Sequence, residues 1–440
     1  MTTIYSASWV VPVSAAPIEN GAVAVEGQRI AGVGPRAEIV AQFPESRIEF
    51  FGEAIILPGL VNLHTHLELT AMRSYLENEE TDFFAWLRKL TVARHELMTA
   101  DDILVSATWG ACEAVRAGIT CVGDASDLGI MSMMALRDVG LRGVVYQESF
   151  GPDARHAKEN FEKLQSKADQ MRTFQNEVTR VGVSPHAPYT VCGTQLELIA
   201  EYAREEGLPL MMHAAESAAE EQFVRDGCGA FAEGLARREI EWKARGVSTI
   251  QYLKQVGVLD VQPLLAHCIR VDDRDIETLR ETETKVAHCP KSNAKLGHGR
   301  APFARFLEAG IAVGFGSDSV ASNNTCDILE EARFATLMAR AGGGLVPASD
   351  ALRVATFGRG LSEGALADLA VVSLTGVHQL PSYDPIATLI FASSGQDVIL
   401  TVVAGREVYR DGRVSNVDED RLRARMVEIS KKLLAADERG

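Results

Sequence analysis

Two histidines one residue apart, His64 and His66, follow the apolar run AIILPGLV of residues 54–61. Successive side chains of a β-strand point to opposite faces, so both imidazoles of such a pair face the same side and can reach one ion. Imidazole nitrogens are common ligands of zinc and related divalent ions. By itself the pair fits equally well two imidazoles that only hydrogen-bond at the polar end of a strand.

Polar residues also end five further apolar runs. They are His186 in SPHAPYT, His213 in MMHAAES, His267 in LAHCI, His288 in AHCPKSN and Asp318 in GFGSDS. Three or more imidazoles that converge with a carboxylate are costly to bury unless a cation takes up their lone pairs. The recurrence therefore predicts a metal site. The other histidines fall in predicted helices or loops, where we expect them to be solvated or locally hydrogen-bonded: His95, His156, His298 and His378.

The elements that carry these residues alternate short apolar runs with longer amphipathic segments, from about residue 56 to about residue 355. Eight strand-like runs are present, among them ITCVGDA, GVVYQESF and TRVGVSPHA. This pattern predicts an α/β protein with a (β/α)₈ TIM-like barrel. Such barrels carry their active sites at the carboxyl ends of the strands, which is where the polar residues stand.

Hairpin-like patterns with glycine turns lie at both ends of the chain, in residues 22–33 and again after residue 367. We therefore expect the two ends to meet in one small domain. The predicted organisation is a β-sandwich domain of residues 1–57 plus 360–425, a catalytic barrel of residues 58–359, and a C-terminal helix over residues 418–440.

Composition excludes several classes of partner. The formal net charge of the 440 residues is −16, and no basic run is segregated from the acidic background, so binding to nucleic acid is not expected. The sequence contains no secretory leader pattern and no apolar stretch of about 18 residues, so we predict a cytoplasmic protein without membrane contact. The seven cysteines are scattered without a CxxC pair, which predicts reduced, structural thiols.

The motifs PGLVNLHTH, SPHAPYT, HAAES, HCPKSNAKLGHG and GSDSVASNN together resemble the amidohydrolase superfamily, specifically its aminohydrolases that deaminate purine and triazine rings. The resemblance spans nearly the whole chain. It implies one divalent metal ion and a homodimer or larger assembly. It also implies the following roles: His64, His66, His213 and Asp318 as metal ligands, Glu216 as proton shuttle, His267 as the group that orients the attacking water, and His186 as a substrate contact.

The chemistry requires these residue types independently of the resemblance. An ion held by three imidazoles and one carboxylate keeps an open position, where water loses a proton near neutral pH and attacks an amino-bearing ring carbon. Glu216 can accept the water proton, pass it to a ring nitrogen and later protonate the departing ammonia. Asp318 can also hold the nucleophile by a hydrogen bond. The alternative for Glu216 is a surface position in the acidic stretch ESAAEE.

The number and the kind of metal ion are separate questions. Relatives with two metal ions carry a bridging lysine on the fourth strand, whereas the corresponding run TRVGVSPHAPY has none. A single metal ion is therefore predicted. We expect Zn²⁺, with Fe²⁺ and Mn²⁺ left open because imidazole and carboxylate ligands suit all three.

The substrate prediction depends on fewer residues. The tetrapeptide HLEL of residues 66–69 resembles deaminases of 6-amino-6-deoxyfutalosine, an adenine nucleoside that carries a benzoate and belongs to one route to menaquinone. Deaminases of 5′-methylthioadenosine and S-adenosylhomocysteine are similar over the same length. A triazine-type chlorohydrolase or aminohydrolase and a catalytically silent barrel that acts as a scaffold remain as alternatives.

Several arginines are candidate substrate contacts. Arg155 matches a substrate-contacting arginine of the similar nucleoside deaminases. Arg94 and His95 stand about where those enzymes carry an acid that binds the ribose, so the usual ribose contact is not evident here. Arg94, or Arg73 and Arg88 nearby, can instead pair with a benzoate carboxylate. Solvated helix positions are the alternative for each.

The segment between Glu216 and His267 is long, at about 50 residues, and loops after barrel strands often tune substrate choice. It predicts a lid to which Phe231 or Trp242 contributes. The alternative is an extra helix packed outside the barrel.

Overall fold

A computed structural model describes residues 2–437 of the chain. The strands are β1 (Thr2–Val10), β2 (Ile18–Glu26), β3 (Arg29–Pro35), β4 (Arg47–Phe50), β5 (Ala54–Pro58), β6 (Leu60–Thr65), β7 (Ile119–Ser126), β8 (Arg142–Ser149), β9 (Thr179–Pro185), β10 (Met211–Ala214), β11 (Leu264–His267), β12 (Lys285–His288), β13 (Val313–Phe315), β14 (Leu369–Ser373), β15 (Val398–Val403), β16 (Arg406–Arg410) and β17 (Arg413–Val414).

The helices are α1 (Arg36–Gln42), α2 (Phe83–Val92), α3 (Ala100–Arg116), α4 (Gly129–Val139), α5 (Ala157–Arg172), α6 (Gly193–Glu206), α7 (Ala218–Asp226), α8 (Ala230–Ala236), α9 (Thr249–Gln255), α10 (Asp273–Glu281), α11 (Pro290–Lys295), α12 (Phe303–Glu308), α13 (Val320–Asn323), α14 (Ile328–Ala341), α15 (Ala348–Ala355), α16 (Pro385–Phe391) and α17 (Glu419–Asp437). None of the helices within residues 2–437 combines the length and the apolar character needed to cross a membrane.

Strands β6 to β13 form the barrel. They pair in parallel as two runs of four, β6-β7-β8-β9 and β10-β11-β12-β13. Backbone bridges from Val183 to Leu210 and from Thr65 to Asp318 join the two runs and close the ring. The strands are buried along nearly their whole length, which explains why they occur in the sequence as continuous apolar runs. The predicted eight-stranded barrel is confirmed.

The two ends of the chain meet in a second sheet of nine strands. Its order is β17-β16-β15-β14-β5-β1-β2-β3, with β4 pairing on β1. The junction is the antiparallel pair of β5 and β14, in which Ile56 lies opposite Val371. Side chains from both halves, including Val23 and Leu400, pack into one apolar cluster, as a small β-sandwich requires. The exact domain boundaries of 1–57 plus 360–425 and of 58–359 stay our proposal.

Helices α3 and α17 hold the C-terminal end of the chain against the barrel. Helix α3 begins at Thr99, whose hydroxyl accepts the backbone N–H of Asp102 at 3.2 Å while Asp102 Oδ2 accepts the N–H of Thr99 at 3.0 Å. The same Asp102 then receives Lys432 Nζ of α17 at 2.8 Å. Helix α17 corresponds to the predicted C-terminal helix, whose last residues, 438–440, lie outside the described part of the chain.

Candidate active site

Four side chains meet at the carboxyl ends of the barrel strands. His64 lies at the end of β6, His66 directly follows that strand, His213 lies on β10, and Asp318 follows β13. Asp318 Oδ1 is 3.3 Å from Nε2 of His64 and 3.6 Å from Nε2 of His66. The Nε2 atoms of His66 and His213 are 3.2 Å apart. One ligand atom from each of the four residues lies within 4.8 Å of the others.

The donor chemistry of this group fits a divalent cation. Nδ1 of His213 contacts the carbonyl oxygen of His186 at 3.0 Å, and because a carbonyl only accepts, that nitrogen carries the proton. Nε2 of His213 is therefore a bare lone pair directed at His66. Burial lowers the pKa of all three histidines, so they are neutral near pH 7 and available as ligands.

The carboxylate of Asp318 is held in its charged form and in one orientation. Burial alone raises its pKa, but the hydrogen bond to His64 and the neighbouring histidines hold the pKa well below its usual range. The hydroxyls of Ser292 and Ser322 each donate to Oδ2 at 2.7 Å, which leaves Oδ1 facing the imidazoles. The four predicted ligands thus form one group that is able to hold a metal ion.

Backbone strain is concentrated at the same strand ends. Ala215, His267 and Asp318 have φ values of 53°, 73° and 56°, in the left-handed region that side chains other than glycine rarely adopt. Such strain costs of order 1–3 kcal/mol per residue and persists where the surroundings over-determine the conformation. Here it directs the side chains of His267 and Asp318 toward the centre of the barrel end.

Glu216 lies beside the four-residue group without belonging to it. Its Oε1 is 3.7 Å from Nε2 of His267, and it is buried. The turn that carries it is fixed by Glu220, whose carboxylate accepts the backbone N–H groups of Ala215 and Glu216 at 2.7 and 2.9 Å. Burial raises the pKa of Glu216 to about 7. A carboxyl with that pKa can both take up and release a proton near neutral pH.

His267 is locked by a neighbour from α11. Its Nδ1 lies 2.8 Å from Oδ1 of Asn293, an amide oxygen that accepts the Nδ1–H. The other ring nitrogen, Nε2, therefore presents a lone pair toward Glu216 and has no hydrogen-bond partner among residues 2–437. Asn293 was not identified from the sequence, although it belongs to the quoted motif HCPKSNAKLGHG.

A cavity of about 910 Å³ opens onto these groups, with mainly aromatic and aliphatic walls. Phe231 of α8 lines the cavity, where it stacks on Tyr189 with ring centroids 3.9 Å apart and contacts Phe84 of α2 at 4.6 Å. Trp242 instead stacks on Phe223 at 4.2 Å and donates its indole N–H to that residue's carbonyl. Of the two proposed lid residues, the structure brings only Phe231 to the cavity.

The two arginines predicted as substrate contacts have different surroundings. Arg94 lines the cavity, and its Nη1 lies 3.1 Å from Glu68 and 3.4 Å from Glu148. Arg155 is not brought to the cavity: its side chain is 68% exposed and pairs with Asp153, which also accepts its backbone N–H. The short loop after β8 provides the ion-pair partner of Arg155, so the arginine side chain stays in solvent.

His298 differs from its sequence-based prediction. It was expected to be solvated or locally hydrogen-bonded, yet its side chain is only 7% exposed and its Nε2 lies 3.6 Å from Oε1 of Glu216. The ring packs edge-on against Phe83, with centroids 4.6 Å apart. Conversely, His288 ends β12 as predicted but packs on Phe303 and takes no part in the four-residue group.

Glu68 and Glu148 are buried acids of the site whose role the sequence did not reveal. Glu68 is fully buried and accepts Arg94 Nη1, Ser126 Oγ at 2.5 Å and the backbone N–H groups of residues 127 and 128. Strand β6 ends at Thr65, so Glu68 lies in the 3₁₀ turn Leu67–Met72 and does not continue the strand face of the two histidines. Its carboxylate therefore binds Arg94 rather than a metal ion.

A parallel barrel with such a metal-binding group and a free glutamate at its strand ends defines a metal-dependent hydrolase. Comparison with known proteins agrees. The model of the amidohydrolase family matches residues 55–408, so the chain belongs to the amidohydrolase family. A model described as an imidazolonepropionase-like composite domain of bacteria matches residues 21–45.

Several relatives are similar along nearly their whole length. The chain is 31% identical over 428 residues to the 5-methylthioadenosine/S-adenosylhomocysteine deaminase of Pelotomaculum thermopropionicum, covering 94% of each chain. It is 33% identical over 442 residues to a protein of the same name from Symbiobacterium thermophilum, covering 94% of this chain and 95% of that one.

Solved structures share the fold at lower identity. An adenosine deaminase from Xanthomonas campestris with bound zinc superposes with a TM-score of 0.85 at 24% identity, covering 98% of both chains. An atrazine chlorohydrolase from Arthrobacter aurescens, complexed with zinc, superposes with a TM-score of 0.82 at 22% identity, covering 97% of this chain and 100% of that one.

Proposed function

We propose that the chain is a metal-dependent hydrolytic deaminase of an adenine-type nucleoside. The observation that carries the proposal is Glu216, a buried carboxyl that is not one of the four candidate ligands and lines the same cavity as His66, His213 and Asp318. The similarity to deaminases of 5-methylthioadenosine and S-adenosylhomocysteine supports the substrate class.

The proposed ligands of the ion are His64, His66, His213 and Asp318, and we propose Zn²⁺ as the ion. When bound, the ion supplies Lewis acidity that makes a water nucleophilic. Glu216 accepts the proton of this water at Oε1 and transfers it to the ring nitrogen next to the carbon under attack.

Water and the ring amine give a ring carbonyl and ammonia, so no further reactant is needed. In the second half of the reaction the new hydroxyl on the ring carbon gives its proton to Glu216, which passes it to the departing amino group, so that ammonia leaves and the ring carbonyl remains. His267 holds the water in line with the ring carbon, because its Nδ1–H bond to Asn293 fixes the ring and leaves Nε2 as an acceptor. Phe231 and its aromatic neighbours keep bulk water out of the cavity.

We propose 6-amino-6-deoxyfutalosine as the substrate, which places the enzyme on a route to menaquinone. Support comes from the HLEL segment and from the rim of the cavity, where Arg88, Arg237 and Arg238 have no ion-pair partner within residues 2–437. Unpaired guanidinium groups at the rim suit a distal carboxylate. Arg94 suits it less, because Glu68 and Glu148 already compensate its charge.

S-Adenosylhomocysteine and 5′-methylthioadenosine are the alternative substrates. S-Adenosylhomocysteine also carries a carboxylate, whereas 5′-methylthioadenosine does not, so the rim arginines distinguish 5′-methylthioadenosine from the two carboxylate-bearing nucleosides. Substituting Arg237→Gln and Arg238→Gln together should raise KM for the two carboxylate-bearing nucleosides about tenfold and leave KM for 5′-methylthioadenosine unchanged. An equal increase in KM for all three nucleosides would show that these arginines act as part of the lid and do not bind a carboxylate.

The proposed reaction is tested with the zinc-loaded protein, the three nucleosides, adenosine and a chlorotriazine, by following ammonia release and the absorbance change from adenine to hypoxanthine. Glu216→Gln should lower kcat by about 10³-fold with its metal content unchanged. Glu221→Gln, a half-buried glutamate of α7 that pairs with Arg225 and Arg270 outside the cavity, is the control. Failure to deaminate any aminated purine would refute the proposal, and chloride release would move the chain to the triazine hydrolases.

A further inference from the structure

We infer that Glu148 and His186 form the subsite that binds the sugar hydroxyls of the nucleoside. This inference rests on the proposed function, because it assumes that an adenine-type nucleoside enters the cavity. It identifies where the ribose of that nucleoside is held.

Glu148 presents a free carboxylate oxygen to the cavity. It lies on β8, lines the cavity, and its side chain is 1% exposed. Oε2 is 3.4 Å from Nη1 of Arg94, whereas Oε1 is buried and has no hydrogen-bond partner among residues 2–437. A buried carboxylate oxygen without a donor is costly. A ligand that donates a hydroxyl proton to it removes that cost.

His186 places a second acceptor next to the first. The hydroxyl of Thr190 donates its single proton to the carbonyl of Ala187 at 3.1 Å, so toward Nδ1 of His186, 2.9 Å away, it acts as acceptor. Nδ1 therefore carries the proton and Nε2 is a lone pair. This Nε2 lies 4.0 Å from Oε1 of Glu148, so two acceptors stand side by side at the cavity wall.

Two adjacent acceptors match a vicinal diol, which offers two O–H donors on neighbouring carbons. Carboxylates commonly bind ribose hydroxyls in this way in nucleotide-binding proteins. The guanidinium of Arg94 fixes Glu148, and Glu68 in turn fixes Arg94 with a fully buried carboxylate, so the acceptor is held rigidly before the ligand arrives. Rigid acceptors discriminate strongly between a hydroxyl and a hydrogen atom.

The order of the strands agrees with this placement. Glu216 and His267 follow or end β10 and β11, and Glu148 and His186 stand at the ends of β8 and β9, the two strands that precede β10 in the ring. All four residues line the same cavity, so a nucleoside whose reacting carbon faces Glu216 can place its sugar against Glu148 and His186.

A second metal ion is the competing occupant, because ligand atoms of Glu148, His186 and His213 also lie within 4.8 Å of one another. His213 is not available for it, since Nδ1 is bonded to a carbonyl and Nε2 faces the first group. Two protein ligands remain, fewer than the three that catalytic zinc sites use. The guanidinium of Arg94 beside Glu148 also repels a cation.

The test measures binding by calorimetry in a Glu216→Gln background, with zinc bound, so that turnover does not interfere. Adenosine should bind roughly 100-fold more tightly than 2′,3′-dideoxyadenosine, as expected for two hydroxyls donated to well-placed acceptors. Adding Glu148→Ala should reduce this ratio to about threefold. Glu96→Ala, an exposed glutamate outside the cavity, should leave the ratio unchanged.

An unchanged ratio with Glu148→Ala would overturn the inference and assign the hydroxyls to another group. Glu148→Gln, which keeps the shape and one acceptor, should give an intermediate ratio, and it substitutes if the alanine variant does not fold. Loss of one of two bound zinc ions in either variant would also overturn it and establish a metal site. Binding of neither nucleoside would refute the proposed function together with the subsite, whereas equal binding of both refutes the subsite alone.

Discussion

Replacing Glu68 should destabilise the barrel by more than any exposed ion pair can. The side chain is fully buried, and its two oxygens accept four donors, among them the guanidinium of Arg94 and the hydroxyl of Ser126. In Glu68→Ala the guanidinium keeps one ion-pair partner among residues 2–437, Glu148 at 3.4 Å. The backbone N–H groups at the start of α4 also lose their acceptor.

The expected size follows from these contacts. Removing one partner of a buried ion pair costs about 3–5 kcal/mol. Glu148 still offsets part of the Arg94 charge, but the hydroxyl of Ser126 and two backbone N–H groups also lose their acceptor, so we expect a cost within this range. Domains of about 150–250 residues lose roughly 2–4 °C in Tm per kcal/mol, and a larger barrel lies at the lower end of that range. Glu68→Ala should therefore lower the Tm of the barrel by about 6–10 °C.

Scanning calorimetry of the zinc-loaded protein at pH 7 measures this shift. Glu96→Ala, in the same segment as Arg94 but exposed, is the matched control and should change Tm by no more than about 1 °C, as surface positions do. Glu68→Gln should fall between the two, because an amide offers only one acceptor oxygen. If Glu68→Ala melted within about 2 °C of the control, the reasoning from buried charge would be refuted.

Three further outcomes are expected. Burial lowers the pKa of His298 to about 4. As the pH falls from 6.5 to 4, the unfolded chain therefore binds a proton that the folded chain does not, and the free energy of unfolding decreases by at most about 3.4 kcal/mol. Urea titrations of His298→Asn should show a shallower decrease. A Cβ on Gly316 would lie 2.8 Å from the Cβ of His64. Gly316→Ala should therefore weaken zinc binding at least about tenfold, measured in competition with a chelating dye. Gly234→Ala, whose added Cβ meets no atom within 4 Å, should leave zinc binding unchanged. Removal of metal by a chelator should lower Tm, and Zn²⁺ at about 100 times its Kd should restore about 2.7 kcal/mol; an unchanged Tm would contradict a metal-binding role for the four-residue group.

The parts of the site that the sequence predicted are those with a local cause. His64 and His66 lie on one face because strand geometry alternates, and His213 and Asp318 follow apolar runs whose ends must meet in a barrel. The periodicity of the runs is a short-range pattern, and it predicted both the barrel and a metal site at the strand ends. The choice of these four residues among the strand-end candidates came from the resemblance to the amidohydrolase superfamily.

The missed parts depend on contacts between distant segments. His298 is buried because Phe83, far earlier in the chain, packs on its ring, and no local pattern contains that information. Arg155 failed to reach the cavity for the opposite reason, since Asp153, two residues away, captures it. Glu68 stands in the HLEL segment, but its contact with Arg94 was not predicted. The turn that brings the two residues together forms because β6 ends earlier than the strand pattern indicates.

The pairing of β5 with β14 has a consequence for synthesis of the chain. The ribosome completes β5 about 310 residues before β14 and, at about 5–20 residues per second, this interval is roughly 15–60 s. Throughout it, β5 has an unpaired edge on the side that β14 later occupies, and such edges attract other strands. The small domain therefore completes last, and a chain that stops before residue 369 leaves this edge open for aggregation or for capture by a chaperone.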